Sequence, residues 1–256
     1  PLWRAFWEPM TLAVLNTTPE RGQARLLARV MRETFAKGAD AARPMFAPEG
    51  LGAALVEPAV AALAARGVKV AHHTPLKTLE RAGGRVTGLV FARHREEIGP
   101  HDRVVLALPP SRLRTLLPEL DLPDDRSAIL NAHFVVEHAG ALADAPPLLG
   151  VLGSDVHWIF TRGDVVSITV SAADALGLAD LPQEKLAQRL WCQAKTALGV
   201  GECGHIVSRI IVEKRATFDQ SPAGVARRPG ARTALANLFL AGDVTDTGLP
   251  ATIEGA

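Results

Sequence analysis

The C-terminal stretch carries the densest group of residues that could bind a ligand. An apolar segment, residues 237–241, runs into Gly242 and Asp243, and a short polar loop containing Gly248 leads to Pro250. Glycine lets the backbone approach a ligand closely, and the carboxylate of Asp243 can accept hydrogen bonds from the hydroxyls of a sugar-like chain. The pattern predicts a ligand site between a strand and a helix.

The residues after this loop predict the start of that helix. Pro250 suits the first turn, because its missing N–H leaves no intrahelical bond unmade. The N–H groups of Ala251, Thr252 and Ile253 would then be free at the positive end of the helix dipole. Such groups can bind an electron-rich acceptor, so we expect backbone and carboxylate groups to act together here.

Three other patterns match chemical motifs by residue type but not by context. Residues 199–204 fit the glycine spacing of a dinucleotide-binding loop, but they follow a predicted helix and precede a predicted strand, the reverse of what that loop requires. Ser154, Asp155 and His157 lie too close in sequence for a triad assembled from distant segments. The histidines show no zinc-type spacing, so we expect no metal site.

Composition and charge exclude several classes of protein. The 256 residues are 48% hydrophobic and 21% charged, and 28 Lys and Arg stand against 27 Asp and Glu. This balance argues against a nucleic-acid partner. No apolar run approaches the roughly 20 residues that span a bilayer, and the two cysteines cannot build a disulfide framework. We expect a cytoplasmic protein.

The periodicity of the apolar residues predicts both helices and strands. Spacing of three and four residues predicts helices over 2–37, 51–66 and 183–198. Within the first range, Thr18 is the expected N-cap of a second helix and Pro19 its first residue. Because helices and strands do not alternate regularly, the expected fold class is α/β or mixed α+β. Strands are expected at 68–74, 76–81, 85–93, 103–108, 128–137, 156–161, 165–171, 205–217 and 237–241.

Both chain ends indicate a piece of a longer protein. The chain opens at Pro1, without an initiator Met and inside an amphipathic pattern, and it stops at Ala256, inside the predicted helix. A helix that stops after one turn has no partner to bury against. We therefore expect a fragment.

The C-terminal sequence also resembles a known motif. Ala-Gly-Asp, followed by Asp-Thr-Gly-Leu-Pro-Ala-Thr-Ile-Glu-Gly-Ala, is similar to the flavin-binding motif of the amine oxidase and phytoene desaturase superfamily. This form looks most like the squalene-associated FAD-dependent desaturases, the hydroxysqualene dehydroxylase family of hopanoid biosynthesis. Residues 2–17, 166–174 and 215–218 resemble further segments of that family, so the likeness extends over most of the chain.

The resemblance implies FAD as the cofactor. Asp243 would bind the ribityl chain, and the N–H groups near Thr252 and Ile253 would face the pyrimidine end of the flavin. The backbone of Leu76 would meet the adenine, and Pro109 would end a strand that runs close to the cofactor. The family's N-terminal glycine-rich pyrophosphate loop lies outside this chain. The remaining expected cofactor-binding residues are Gly242, Gly248, Pro250 and Ala251.

The resemblance further implies a two-domain, FAD-dependent amine oxidase-like fold. Residues 48–112 and 216–256 would belong to the FAD domain, and residues 1–47 and 113–215 to the substrate domain. The whole protein would remove the hydroxyl of hydroxysqualene reductively to give squalene, whereas the fragment alone would be inactive. A carotenoid or phytoene-type desaturase, or a flavin amine oxidase, is the nearer alternative. A non-catalytic lipid-binding protein is the more distant one. No residue is assigned as a catalytic acid.

The expected isoprenoid substrate is apolar, and this predicts where in the cell the protein acts. Such molecules are nearly insoluble, so we expect the protein to take them up by peripheral contact with the inner face of the cell membrane. The N-terminal run has the composition of an interfacial anchor. In the competing interpretation, its rings pack in the core or line a substrate tunnel. The run consists of Leu2, Trp3, Phe6, Trp7 and Met10.

Overall fold

Helices and strands follow one another irregularly along the chain. The structure, a computed structural model, describes residues 1–124 and 127–256. The contacts divide the chain into two units. The first unit contains residues 1–30, 107–230 and 241–256, and the second contains residues 31–106 and 231–240.

The α-helices vary in length from one turn to sixteen residues. They are α1 (Glu8–Leu15), α2 (Ala24–Glu33), α3 (Ala39–Ala42), α4 (Glu57–Ala65), α5 (Pro110–Leu116), α6 (Gln183–Leu198) and α7 (Pro222–Ala226). Single π-helical turns, Trp3–Trp7 and Gly52–Val56, precede α1 and α4, and 3₁₀ turns lie at Phe35–Lys37, Ala139–Leu142 and Ile253–Gly255.

The strands belong to three sheets. They are β1 (Leu76–Ala82), β2 (Arg85–Phe91), β3 (Arg95–Glu97), β4 (Val104–Ala107), β5 (Ser127–Val136), β6 (Leu148–Gly150), β7 (Trp158–Arg162), β8 (Val165–Ser171), β9 (His205–Thr217) and β10 (Leu238–Ala241). The sheets have the orders β1-β2-β3, β10-β4 and β6-β7-β8-β5-β9.

The five-stranded sheet is the centre of the first unit. Its strands are antiparallel, and β5 alternates strictly between buried and half-buried residues. Because side chains of a strand point to opposite faces in turn, Leu130, Ala132 and Phe134 lie on one face. They pack there with Leu190 and Trp191 of α6 in one apolar cluster. This apolar core holds α6 against one face of the sheet.

A smaller apolar cluster in the same unit lies where α1 ends. Leu15 and Leu26 pack with Phe218 and Val225, and all four side chains are almost fully buried. The half-buried Ala251 contacts this cluster. The C-terminal segment is therefore attached to the core of the first unit.

The second unit contains a three-stranded antiparallel meander. β1 and β2 are joined at Gly83 and Gly84, both with positive φ, and β2 pairs with β3. The pair agrees with the strands expected at 76–81 and 85–93, and positive φ at both glycines forms the tight hairpin turn between them. The strands β4 and β10 form a separate pair.

Most expected elements are present, and the mixed content confirms the expected fold class. The helix at 183–198 forms with those bounds, and residues 51–66 are helical up to Gly67, whose φ is +72°. The strand expected at 68–74 is wrong, because the described residues offer it no neighbouring strand and His73 takes a positive φ. The expected substrate domain, 1–47 with 113–215, and the expected FAD domain, 48–112 with 216–256, stay a prediction.

The expected helix start at Thr18 is also wrong. The carbonyl of Thr18 accepts hydrogen bonds from the N–H groups of Arg21 and Gly22, which closes a turn. The helix α2 begins only at Ala24. The turn satisfies the backbone groups that a helix over these residues would have used, so Pro19 stays outside the helix.

Candidate functional site

Two of the expected cofactor-binding residues, Pro109 and Gly242, follow the paired strands β4 and β10. The N–H of Val104, which opens β4, donates to the carbonyl of Asn237, directly before β10, at 2.8 Å. Both strands therefore start at the same end and run in the same direction. Pro109 follows β4 and Gly242 follows β10.

The side chain of Asn237 fixes the start of β10. Its Oδ1 accepts the N–H of Val86 at 2.8 Å, and its Nδ2 donates to the carbonyl of Val86 at 2.9 Å. Asn237 is fully buried, and a buried amide is stabilising only when both of its ends are paired. The amide therefore holds the start of β10, and Gly242 and Asp243 follow directly after the end of that strand.

Gly242 turns the chain out of β10 in the left-handed region, with φ of +100°. Residues with a Cβ rarely adopt this conformation. A Cβ added at Gly242 would meet no heavy atom within 4 Å. The backbone beside Gly242 is therefore open to close approach by a ligand.

Asp243 presents a half-buried carboxylate that accepts no hydrogen bond from the residues that the structure describes. Its backbone is nevertheless held, because its carbonyl accepts a hydrogen bond from Arg228 at 2.8 Å. The carboxylate thus keeps its acceptor capacity for the hydroxyl groups of a bound molecule.

Arg228 holds the loop that follows Asp243. Its guanidinium donates to the carbonyl of Leu249 at 2.8 Å and also to the carbonyl of Thr245. Its side chain is fully buried, and it lies over the ring of Phe218 at 4.9 Å from the centroid. One side chain therefore fixes three carbonyls spread over residues 243–249.

The charge of Arg228 is compensated only in part. Burial lowers the pKa of the guanidinium, while the carboxylates of Asp246, at 3.6 Å, and Asp243 oppose this shift. The group stays cationic, because an arginine pKa starts far above neutrality. Its Nε finds no partner among the described residues. Such a buried cation would be costly without the carbonyls that it binds.

Gln220 fixes the end of the loop in a similar way. Its Nε2 donates to the carbonyl of Leu15 at 2.7 Å, and its Oε1 accepts the N–H of Ala251 at 2.9 Å. The side chain is fully buried. Gln220 therefore joins the end of α1 to the C-terminal segment.

The structure corrects the expected helix start at Pro250. The N–H of Ala251 is taken by Gln220, and the N–H of Thr252 donates to the carbonyl of Pro250 at 2.8 Å. An α-helix from Pro250 would join residues four apart, but the N–H of Gly255 donates to the carbonyl of Thr252, three residues back. The segment is therefore a 3₁₀ turn, and of the three expected free N–H groups only that of Ile253 has no partner in the described structure.

The remaining expected residues occupy defined positions. Gly248 has a φ of +76°, and its N–H donates to Oδ1 of Asp246 at 3.1 Å. Pro109 is the N-cap residue of α5. Leu76 is the first residue of β1, in the second unit. The structure therefore groups the C-terminal residues into one loop.

This loop fits a ligand with hydroxyl groups and an electron-rich ring edge. It offers the unpaired carboxylate of Asp243, the open backbone at Gly242 and the unpaired N–H of Ile253, on a segment held by Arg228 and Gln220. The ribityl chain and flavin ring of FAD have these features. The sequence singled out neither Arg228 nor Gln220. Arg227 and Arg228 look alike in the sequence, and only the structure shows which one is buried.

The other polar clusters have structural partners. Ser154 donates to Gln193, Asp155 pairs with Arg189 at 2.7 Å, and Nδ1 of His157 accepts the N–H of Ser171. Ser154, Asp155 and His157 therefore do not form a triad. Within residues 1–124 and 127–256, no group of three or more potential metal ligands comes together. No helix of that same part is long and apolar enough to cross a membrane.

Comparison with known proteins assigns the class of this chain. The flavin containing amine oxidoreductase family matches residues 1–256. The crystal structure of an oxidoreductase from Methanosarcina mazei superposes with a TM-score of 0.68 at 10% identity, covering 99% of this chain and 62% of that one. The family match and the superposition thus agree on an amine oxidase-like fold.

The chain belongs to the flavin containing amine oxidoreductase family. This membership confirms the expected oxidoreductase class, flavin cofactor and amine oxidase-like fold. Among curated relatives, the hydroxysqualene dehydroxylase of Rhodopseudomonas palustris is 44% identical and that of Sinorhizobium fredii 41% identical, each over all of this chain. The chain spans about 60% of the length of these relatives.

Proposed function

We propose that this chain is part of an FAD-dependent enzyme that reductively removes the hydroxyl group of hydroxysqualene to give squalene, a step of hopanoid biosynthesis. The 44% identity with a hydroxysqualene dehydroxylase over the entire chain carries this proposal. The C-terminal loop supports it, because its unpaired groups fit the flavin side of FAD.

The cofactor contacts follow from the loop geometry and from the family resemblance. Asp243 accepts hydrogen bonds from ribityl hydroxyls, and the N–H of Ile253 faces the pyrimidine edge of the flavin. Gly242 and Gly248 allow close approach, while Pro250, Ala251 and Thr252 shape the turn beneath it. Leu76 meets the adenine through its backbone, and Pro109 lies where a strand end passes the cofactor.

The proposed reaction balances as follows. The allylic C–O bond of the alcohol breaks, a C–H bond forms at the same carbon, and the hydroxyl leaves with one proton as water. Reduced FAD, when bound, would supply the hydride and, in the overall balance, the proton of that water, and would itself be oxidised. The chain's own residues hold the cofactor, orient the alcohol and exclude bulk water from the reacting carbon.

Membrane contact is proposed for the N-terminal residues. Trp3 is 54% exposed and Leu2 is 64% exposed, on the π-helical turn and just before it. Large exposed apolar side chains at a helix start favour insertion at the headgroup level, and Arg4 can reach lipid phosphates. The protein would then take its apolar substrate from the membrane surface.

Product analysis tests the proposed function against its rivals. The full-length, FAD-loaded protein is incubated with hydroxysqualene after chemical reduction without oxygen, and in its oxidised form with phytoene or with a primary amine. Squalene from hydroxysqualene alone is the expected result. Oxidation of phytoene or of the amine by the oxidised enzyme would favour a desaturase or an amine oxidase. A full-length protein that purifies without flavin would favour the non-catalytic lipid binder.

A further inference from the structure

The five-stranded sheet has a second face that α6 does not cover. The buried residues of β5 point to α6, so the odd-numbered residues from Ile129 to Val135 lie on the opposite face. The structure records these as half-buried. On the neighbouring strand β9, Val207 and Ile211 are 57% and 41% exposed. We call this surface the open face.

Two rows of paired residues cross the open face. In the first row, Trp158, Thr169, Asn131 and Ile211 are successive partners on β7, β8, β5 and β9. In the second row, the corresponding partners are Phe160, Ser167, His133 and Arg209. Paired residues share a face, so each row runs from an aromatic ring through two polar side chains to β9.

The polar residues at the centre bind one another but leave donors unused. The hydroxyl of Thr169 donates to Oδ1 of Asn131 at 2.8 Å, and Nδ1 of His133 lies 2.9 Å from Oγ of Ser167. The Nδ2 of Asn131 and the Nε2 of His133 have no hydrogen-bond partner among the described residues. When Ser167 donates to Nδ1, Nε2 carries the proton and is a donor.

These two donors lie close together on one strand. Asn131 and His133 are two residues apart on β5, which places them about 7 Å from each other. Burial and the nearby charge of Arg209 both lower the pKa of the His133 imidazole, which favours the neutral ring. A neutral imidazole and an amide bind an uncharged hydroxyl without a charge to neutralise.

The two flanks of the polar centre differ, because the flank on β7 is aromatic and the flank on β9 is partly aliphatic. On β7, the ring of Trp158 lies against Gly150 of β6, where an added Cβ would come within 3.1 Å of the ring. Gly150 therefore lets the indole lie across the sheet. On the other flank, the aliphatic Val207 and Ile211 of β9 alternate with two exposed charged residues of the same strand, Arg209 and Glu213.

We propose that the open face binds a long apolar alcohol, with Asn131 and His133 holding its single hydroxyl group. The match is one of polarity, because the polar centre lies between aromatic rings on β7 and the aliphatic Val207 and Ile211 on β9. Hydroxysqualene likewise has one hydroxyl between two hydrocarbon arms. This inference rests on the proposed function and adds the residues that distinguish the alcohol from the hydrocarbon product.

The face would thereby help release the product. Squalene lacks the hydroxyl. When it is bound, the donors of Asn131 and His133 have lost water and gain no acceptor from the ligand, and such unpaired donors weaken binding. The apolar flanks contribute equally to both molecules. Discrimination between alcohol and hydrocarbon therefore depends on the polar centre alone.

The experiment measures binding and not turnover. Full-length, FAD-loaded protein in the oxidised state is titrated with hydroxysqualene and with squalene in detergent micelles, and quenching of tryptophan fluorescence reports on binding. We expect the parent to prefer the alcohol by about tenfold, as two neutral hydrogen bonds allow. The variant Asn131→Leu/His133→Leu should bind both ligands equally while keeping its affinity for squalene.

Two further variants separate hydrogen bonding from a structural role. His133→Gln places an amide donor near the position of Nε2, so it should keep most of the preference. Glu184→Gln, at an exposed position of α6 on the opposite side of the sheet, should leave the preference unchanged. Equal flavin content and far-UV circular dichroism for all variants confirm that each is folded.

Several outcomes would overturn the proposal. A parent without preference for the alcohol, a double variant that keeps the preference, or loss of binding of both ligands by the folded double variant would each contradict it. Turnover of hydroxysqualene by the parent, measured separately, tests the proposed function. A parent that makes squalene but shows no discrimination at Asn131 and His133 would refute only the role of the open face.

Discussion

The buried guanidinium of Arg228 donates a hydrogen bond of 2.8 Å to the backbone carbonyl of Asp243, while the carboxylate of the same aspartate stays unpaired among the described residues. One residue is thus held through its main chain and left available through its side chain. This division of roles keeps a ligand-binding carboxylate in place without using its acceptors.

Replacement of Arg228 by lysine should destabilise the protein. A lysine ammonium cannot reproduce the planar fork that reaches three carbonyls, and buried carbonyls left unpaired cost about 1–3 kcal/mol each. We expect a loss of at least about 3 kcal/mol in the free energy of unfolding, measured by urea denaturation, and lower FAD retention. The neighbouring Arg227→Lys is the matched control, because Arg227 is exposed and pairs only with Asp121 on the surface. Equal stability of the two variants would argue against the holding role of Arg228.

Replacement of Asp243 by alanine should weaken FAD binding more than it weakens folding. A hydrogen bond to a charged group contributes roughly 1.5–3 kcal/mol, so the dissociation constant of FAD from the full-length protein should rise about tenfold or more. The change in unfolding free energy of the apoprotein should be smaller, since the carboxylate accepts no hydrogen bond from the described residues and acts on Arg228 only through its charge. The exposed Asp144→Ala serves as control. If the variant purifies with the same flavin occupancy as the parent, Asp243 does not contact FAD.

Gly242→Ala tests the left-handed turn. A Cβ at φ of +100° costs about 1–2 kcal/mol in backbone strain, although it would meet no heavy atom within 4 Å. We expect lower stability by that amount, with weaker FAD binding if the cofactor uses the open space. Gly230→Ala is the control, because Gly230 has equally open space without a positive φ. The same stability for both variants would rule out the strain argument.

His157 should make the stability of the protein depend on pH. Burial lowers the pKa of its imidazole, and Asp155 opposes this shift only in part. Its Nδ1 accepts the N–H of Ser171 at 3.1 Å, which requires the neutral ring. Below about pH 6.5 the unfolded chain takes up a proton that the folded chain resists. Stability should therefore fall with pH from about 6.5 down to the lowered pKa, and be fully present above pH 6.5.

The change is measurable in thermal unfolding. Between pH 7.5 and pH 5.5 the midpoint of the parent should fall by about 2–4 °C more than that of His157→Asn, whose amide oxygen can accept the same N–H without titrating. His101→Asn, at an exposed position, should behave like the parent. An equal fall in the His157→Asn variant would mean that other groups cause the pH dependence.

The N-terminal aromatic residues should determine membrane contact. Trp3→Ser/Trp7→Ser in the full-length protein should reduce the fraction that floats with anionic liposomes severalfold, because indole rings favour the headgroup region. Ile206→Ser, at an apolar position of β9 that is 68% exposed, should float like the parent. Equal flotation by the folded Trp3→Ser/Trp7→Ser variant would mean that these rings pack in the protein interior or line a substrate tunnel.

The elements that the sequence predicted well are those whose signal is local. The helix at 183–198 has a continuous apolar stripe and a glycine after its end, and it forms with the expected bounds. Likewise, the Gly83-Gly84 hairpin needs only the positive φ of its turn. Such signals do not depend on a distant partner, so one sequence is enough to see them.

The errors arise where distant residues decide the outcome. Residues 68–74 have an apolar strand-like composition, but a strand forms only beside a neighbouring strand. The expected free N–H of Ala251 is taken by Gln220, thirty-one residues earlier in the chain. No local pattern reports that contact, nor does it show that Arg228 is buried while Arg227 is not.

The most direct test of the account is a single-turnover measurement on the full-length protein. The bound flavin is reduced without oxygen, the reductant is removed, and hydroxysqualene is added while flavin oxidation and squalene are followed together. We expect one squalene for each flavin oxidised, with both appearing at the same rate. Flavin that stays reduced in the presence of bound hydroxysqualene, or that is oxidised without formation of squalene, would contradict the proposed dehydroxylation.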